Sequence, residues 1–204
     1  MSFLKKYLVK YLFKIINSDA YKSHKMHQQN AWAKANFKAF GEGSHLPEFY
    51  WIKNPKYMSI GKGFSSLFNL RLEAWDRFQD QTFTPEISIG DNVILNSDVH
   101  IGAIEKIIIG NNVLMASRIY ISDHYHGDIS GNDLDIPPRL RSLYAKGPVI
   151  IEDNVWIGEG VCILPGVTIG ENCIIGANSV VNKSFPKNSV IAGVPARLIK
   201  TLEK

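Results

Sequence analysis

Cysteine is nearly missing from this 204-residue chain, which holds only Cys162 and Cys173. Two cannot form a disulfide framework, so the cytoplasm, a reducing compartment, is the expected location. No apolar run approaches the roughly 20 residues that cross a bilayer. Lysines interrupt the N-terminal FLKKYLVKYLFKII, which excludes the apolar core of a signal peptide. Charge of one sign is scarce as well: a net charge of +4 does not indicate nucleic acid as a partner. Metal-ligand clusters are also lacking, because His24 and His27 lie three apart with no third ligand in view. With 45% hydrophobic residues, the chain can form one domain, or one domain and an appendage.

What the chain has is a period of six. Ile151, Ile157, Ile163, Ile169, Ile175 and Val181 follow one another in strict register, and two residues before each stands Val149, Val155, Val161, Val167, Cys173 or Ser179. Six is neither the 3.6 of a helix nor the two of a simple strand, so it marks an internal repeat. Each unit supplies one short strand and one corner. Three units close a triangular coil, and stacked coils bury the branched side chains in a column. Glycine and Asn at the corners supply positive φ. The expected fold is an all-β solenoid.

The same phase extends upstream in three coils, written Met58/Ile60 to Leu72, Ile87/Ile89 to Ile101, and Ile107/Ile109 to Ile121. Excursions are expected at 73–86 and 122–148, with a small insertion at 103–106. Residues 1–50 read as a helical appendage and 51–204 as the column. Within the appendage, residues 3–16 form a basic amphipathic helix. It could contact an acidic membrane peripherally, or pack on its own column or on a neighbouring subunit. The chain ends in a short basic strand or helix.

Excursions carry function more often than a regular column does. The long one opens with ISDHYHGD, which places His124 at a corner and His126 two residues on. A neutral imidazole there can take a proton from a bound hydroxyl. Asp123 or another carboxylate would orient the ring. Near the end of the chain, Lys183, Lys187, Arg197, Lys200 and Lys204 suit a polyanionic ligand.

The hexapeptide register, the DHYHG loop, GPVIIEDNVWIGEGVCILPGVTIGENCIIGANSVV and VIAGVPARLIK together resemble the left-handed parallel β-helix acetyltransferases. Within them, the maltose, galactoside and O-antigen sugar O-acetyltransferase branch is the nearer match, over roughly residues 85–200. The resemblance implies acetyl transfer from acetyl-CoA to a sugar hydroxyl, in a surface polysaccharide or its precursor, by a homotrimer whose sites lie between subunits. It implies His124 as the catalytic base. Trp156, Ala177, Lys183, Arg197 and Lys200 would hold the CoA. Asn96, His126, Trp75 and Asp76 would lie near the acceptor, with Arg77, Arg139, Arg141 and Tyr144 in the surrounding loops.

The same residues bear on other functions. His100, His124 and His126 could serve a zinc enzyme similar to the γ-class carbonic anhydrases. His100 takes an outward position whose spacing does not suit that site, and no metal is required by the sugar reading. A bare trimerising scaffold would leave the DHYH loop without purpose. Acetylation of an amino-sugar amine or of a xenobiotic hydroxyl stays open.

Overall fold

The computed structural model describes residues 3–128 and 130–203, apart from the side chains of Phe3 and Leu4. Those two side chains are the first apolar pair of the amphipathic helix, and they lie outside the described set, as does Lys204 of the basic tail. Two helices, α1 (Phe3–Ile16) and α2 (Asp19–Asn36), precede a left-handed parallel β-helix with three faces. The first face stacks Ala39–Phe40, Met58–Ile60, Glu86–Ile89, Lys106–Ile109, Val149–Ile151 and Thr168–Ile169. The second runs from Ser65–Ser66 through Ile94–Leu95, Leu114–Met115, Trp156–Ile157 and Ile174–Ile175 to Ser189–Gly193. The third stacks Tyr50–Lys53, Leu70–Ala74, His100–Ala103, Tyr120–Ser122, Cys162–Ile163 and Val180–Val181.

The inward residues of the repeat are buried almost without exception, from Met58 through Ile121 to Val181. Each fully buried branched side chain contributes about 1.5–3 kcal/mol, and the gain accumulates coil upon coil. Corner asparagines make the stacking repeatable. Asn92, Asn112 and Asn154 adopt φ of 56°, 56° and 59°. Their amides form a ladder, with Asn92 Nδ2 donating to Asn112 Oδ1 and Asn112 Nδ2 to Asn154 Oδ1, each at 3.2 Å. Asparagine tolerates this left-handed backbone while its side chain satisfies the next corner.

The long excursion leaves the phase intact: Ile107 pairs with Val149 and Ile109 with Ile151 across it. The helical part stops at Asn36, and Ala39–Phe40 already pairs with Ser59 and Ile60. Strand pairing therefore starts ahead of residue 50, in a stretch whose hexapeptide pattern is too degenerate to read. At the other end the chain forms a strand, Ala196–Thr201, antiparallel to Ser189–Gly193.

Helix α2 begins on Ser18, whose hydroxyl accepts from the Tyr21 N–H. Its C-terminal end reaches the column. Ala33 is fully buried, Trp32 stacks on Tyr50 at 5.9 Å, and Phe37 packs on Phe40 at 5.5 Å.

Candidate active site

Outward residues of the third face line up across the coils as Trp51, Arg71, His100 and Tyr120. The next outward row is Lys53, Glu73, Gly102 and Ser122. Two loops wall these rows. The first excursion folds into a hairpin, Arg77–Phe78 against Gln81–Thr82, and the root of the second, His124–His126, pairs antiparallel with Leu143–Ala145. Gln81 locks the loops together: its Nε2 donates to the Leu143 carbonyl at 3.1 Å, and its Oε1 accepts from the Leu143 N–H at 2.7 Å. The resulting cleft encloses about 310 Å³.

His124 stands at the cleft's inner edge. Its Nδ1 lies 2.8 Å from Asp123 Oδ1. A carboxylate accepts only, so Nδ1 carries the hydrogen and donates, which leaves the Nε2 lone pair free. Asp123 is fully buried. Its carboxylate also accepts from the backbone N–H groups of Ile104, Glu105 and Lys106 at 3.0, 2.8 and 2.8 Å. The insertion at 103–106 thus supplies the turn of donors that anchors the residue orienting His124. Of the carboxylates that the sequence left open for orienting the ring, Asp123 is the one hydrogen-bonded to it.

Beside it lies a second polar cluster that sequence reasoning missed. Glu73, 4% exposed, accepts from Arg71 Nη2 at 2.8 Å and His100 Nε2 at 3.1 Å through Oε2, and from Trp51 Nε1 at 3.1 Å through Oε1. Burial pushes the His100 pKa below the ordinary histidine value; Arg71 adds to this and Glu73 opposes it. Gly102 keeps the space between the two imidazoles open, for a Cβ there would sit 3.6 Å from His100 Nε2 and 3.7 Å from His124 Cε1. The available signal was an acidic residue one step past the inward Leu72, with Gly102 opposite it one coil away and His100 in the adjacent outward row.

Of the other residues singled out in the sequence, His126 and Trp75 line the cleft. The His126 ring meets Phe78 edge to face at 5.4 Å, and Lys53 Nζ stands 3.0 Å over the Trp75 ring. Asp76 turns away from the cleft: it pairs with Lys56 at 3.4 Å and accepts from Asn54 Nδ2 at 2.9 Å. Asn96 sits at the corner between the second and third faces, its amide donating to the Met115 carbonyl at 3.0 Å, outside the cleft of its own chain. Arg141 fastens the long loop through the Ile136 carbonyl at 2.9 Å. Arg77, Arg139 and Tyr144 are exposed on the loops. Among the described residues no cluster of three metal-ligating side chains forms.

The residues assigned to CoA lie mainly on the second face. Register places Trp156, Ile174, Val190 and Lys200 in one outward row. At about 4.8 Å per strand, Trp156 and Lys200 are about 14 Å apart. Arg197 stands opposite Ala192 beside this row. Ala177 is exposed at the corner above Gly158. Lys183 lies at a different corner, with its ammonium 5.5 Å from the Phe185 ring. An exposed indole, a small residue at the corner and two cations fit an elongated polyanion. None of these residues reaches the His124 cleft of the same chain.

The family model for the bacterial transferase hexapeptide (six repeats) matches residues 148–183. WbbJ of Escherichia coli K12, named for lipopolysaccharide biosynthesis O-acetyl transfer, is 43% identical over 154 residues, 74% of this chain and 74% of its own. The galactoside O-acetyltransferase of the same organism is 32% identical over 169 residues, 83% of this chain and 66% of its own. Among solved structures, a variant of AntD, an N-acyltransferase from Bacillus cereus bound to dTDP-4-amino-4,6-dideoxyglucose and coenzyme A, is similar. It superposes with a TM-score of 0.68 at 26% identity, over 86% of this chain and 90% of that one. A maltose O-acetyltransferase from Clostridium difficile gives 0.53 at 26% identity, over 98% and 86%.

Proposed function

The chain belongs to the hexapeptide-repeat acetyltransferases, in their sugar O-acetyltransferase branch, and uses acetyl-CoA; on that premise we propose that it acetylates a hydroxyl of a surface polysaccharide or its precursor, with His124 as general base. The observation that carries this reading is the Asp123–His124 pair facing the cleft, with Nε2 free. His124 Nε2 takes the proton of the acceptor hydroxyl as its oxygen attacks the thioester carbonyl. The tetrahedral oxyanion collapses, the carbon–sulfur bond breaks, and the imidazolium returns the proton to the leaving thiolate of CoA. Backbone N–H groups at the corners are the available oxyanion donors. Trp75 and Tyr120 offer apolar faces to a sugar ring, and Glu73, His100 and Arg71 offer polar groups to its hydroxyls.

Acetyl-CoA would lie along the Trp156–Lys200 row of one subunit and meet the His124 cleft of a neighbour, so the working unit is a homotrimer. Exposed apolar residues on both flanking faces support this: Ile94, Leu114 and Trp156 on the second, Trp51 and Tyr120 on the third. The unpaired Cys162 and Cys173 are consistent with work in the cytoplasm.

The test is thiol release from acetyl-CoA with free and nucleotide-linked sugars, wild type beside His124→Ala. Acceptor-dependent release that falls about a hundredfold or more in the variant is expected, the low end of a general-base contribution. Release that survives the substitution removes His124 from the mechanism. The AntD neighbour, whose complex contains an amino sugar, makes amino sugars the second acceptor panel. Transfer to those alone would replace the hydroxyl with an amine.

A further inference from the structure

Helix α1 presents a surface that the column leaves unused. It is α2 that packs on the column, through Ala33 and the Trp32–Tyr50 stack. Along α1, Tyr7, Leu8, Tyr11, Leu12, Phe13 and Ile16 are all exposed, Leu12 at 49% and Phe13 at 69%. A 14-residue helix with this much uncovered apolar surface has no reason to stay in water. At 100° per residue, Lys6, Lys10 and Lys14 fall in one stripe, opposite Leu8, Leu12 and Ile15. Lys5 adds a fourth cation, and the first acidic residue of the chain is Asp19. The apolar surface continues past the helix end into a groove of about 300 Å³ that includes Ile16, Met26, Leu46 and Pro47, with Lys22 at its edge.

We propose that α1 lies in the plane of an anionic bilayer surface, its apolar face in the acyl boundary and its lysines among the lipid phosphates. The helix is about 21 Å long, too short to cross. Charge decides between a bilayer and a second copy of the chain. Pairing α1 with α1 through the apolar faces would leave the lysine stripes pointing outward with no carboxylate to meet, whereas an anionic surface attracts each one. Long lysine side chains reach the headgroups while their stems cover apolar surface. The position suits an acceptor held on a lipid; that consequence rests on the sugar acetyltransferase reading, but the docking does not.

The test is co-sedimentation of the full chain with vesicles of phosphatidylglycerol and phosphatidylethanolamine, against phosphatidylcholine alone, at low and high salt. Pelleting is expected with the anionic vesicles, weakened by salt. In the triple variant Lys6→Glu/Lys10→Glu/Lys14→Glu the partition should fall by at least about a hundredfold, since each near-surface lysine contributes roughly fivefold and each Glu adds repulsion. Leu8→Ser/Leu12→Ser should also release the protein while leaving the lysines in place. Melting temperature and thiol release with a soluble acceptor should not change in either variant, because neither touches the column. Equal binding to neutral and anionic vesicles, or none to either, overturns the proposal. So does a variant whose sedimentation shifts to a smaller oligomer, which would make α1 a contact between subunits.

Discussion

His124 and His100 are neighbours with opposite tasks in the fold. His124 is oriented by a buried carboxylate, whereas His100 is held by Glu73 in surroundings that disfavour its charged form. The pKa of His100 is lower in the folded chain than in the unfolded one, so the unfolded chain binds its proton first as pH falls. Its effect on stability is absent well above the ordinary histidine pKa of 6.5. It becomes a penalty as pH drops through that value, and levels off below the folded pKa. His100→Asn should therefore lose less stability than wild type between pH 7 and pH 5, read as urea midpoints at each pH. An equal loss would show that burial does not suppress its charge. DHYH stood out in the sequence because its residues are adjacent at the root of a loop. Glu73 did not, because its partner His100 is 27 residues away and the two meet only when coils stack.

At the scale of an element, the corner after Trp156–Ile157 shows how closely the coils approach. A Cβ on Gly158 would stand 2.7 Å from the Ala177 N and 2.8 Å from the Ile175 carbonyl oxygen. Both are backbone atoms and cannot swing aside. Gly158→Ala should destabilise the chain by roughly 1–3 kcal/mol through forced backbone shifts. Because the displaced corner carries Ala177 beside the proposed CoA row, it should also raise the KM for acetyl-CoA. Denaturant melts and initial rates measure the two effects separately; a variant unchanged in both would mean the coils can spread at no cost. The strands themselves were legible, since each inward pair is written locally every six residues. The strands ahead of Met58 were less so: around Ala39–Phe40 and Tyr50–Lys53 aromatics replace the branched pairs, and α2 packs there instead of another coil.

For the molecule as a whole, the row with Trp156 and the cleft with His124 lie on different faces of one column, so one chain alone does not complete the proposed site. Leu114 sits between Ile94 and Trp156 in the outward row of the second face and is 41% exposed. Leu114→Arg would place a charge in the proposed contact. The variant should sediment as a monomer and lose acceptor-dependent thiol release, while its column melts as before. A trimer that persists with full activity would move the contact elsewhere.

The sequence by itself determined the column, its phase through both excursions, and the histidine at the root of the long loop. These follow from local spacing: an inward branched residue every sixth place leaves the backbone few other ways to bury it. Tertiary structure decided which groups stand around that histidine. Asp123 receives three N–H groups from an insertion 17 to 19 residues earlier, Glu73 gathers partners from three coils, and Gln81 ties two distant loops into one wall. Asp76, adjacent to Trp75 in sequence, points away to Lys56. Such contacts depend on which coil lies above which, and stacking sets that order rather than any pattern along the chain.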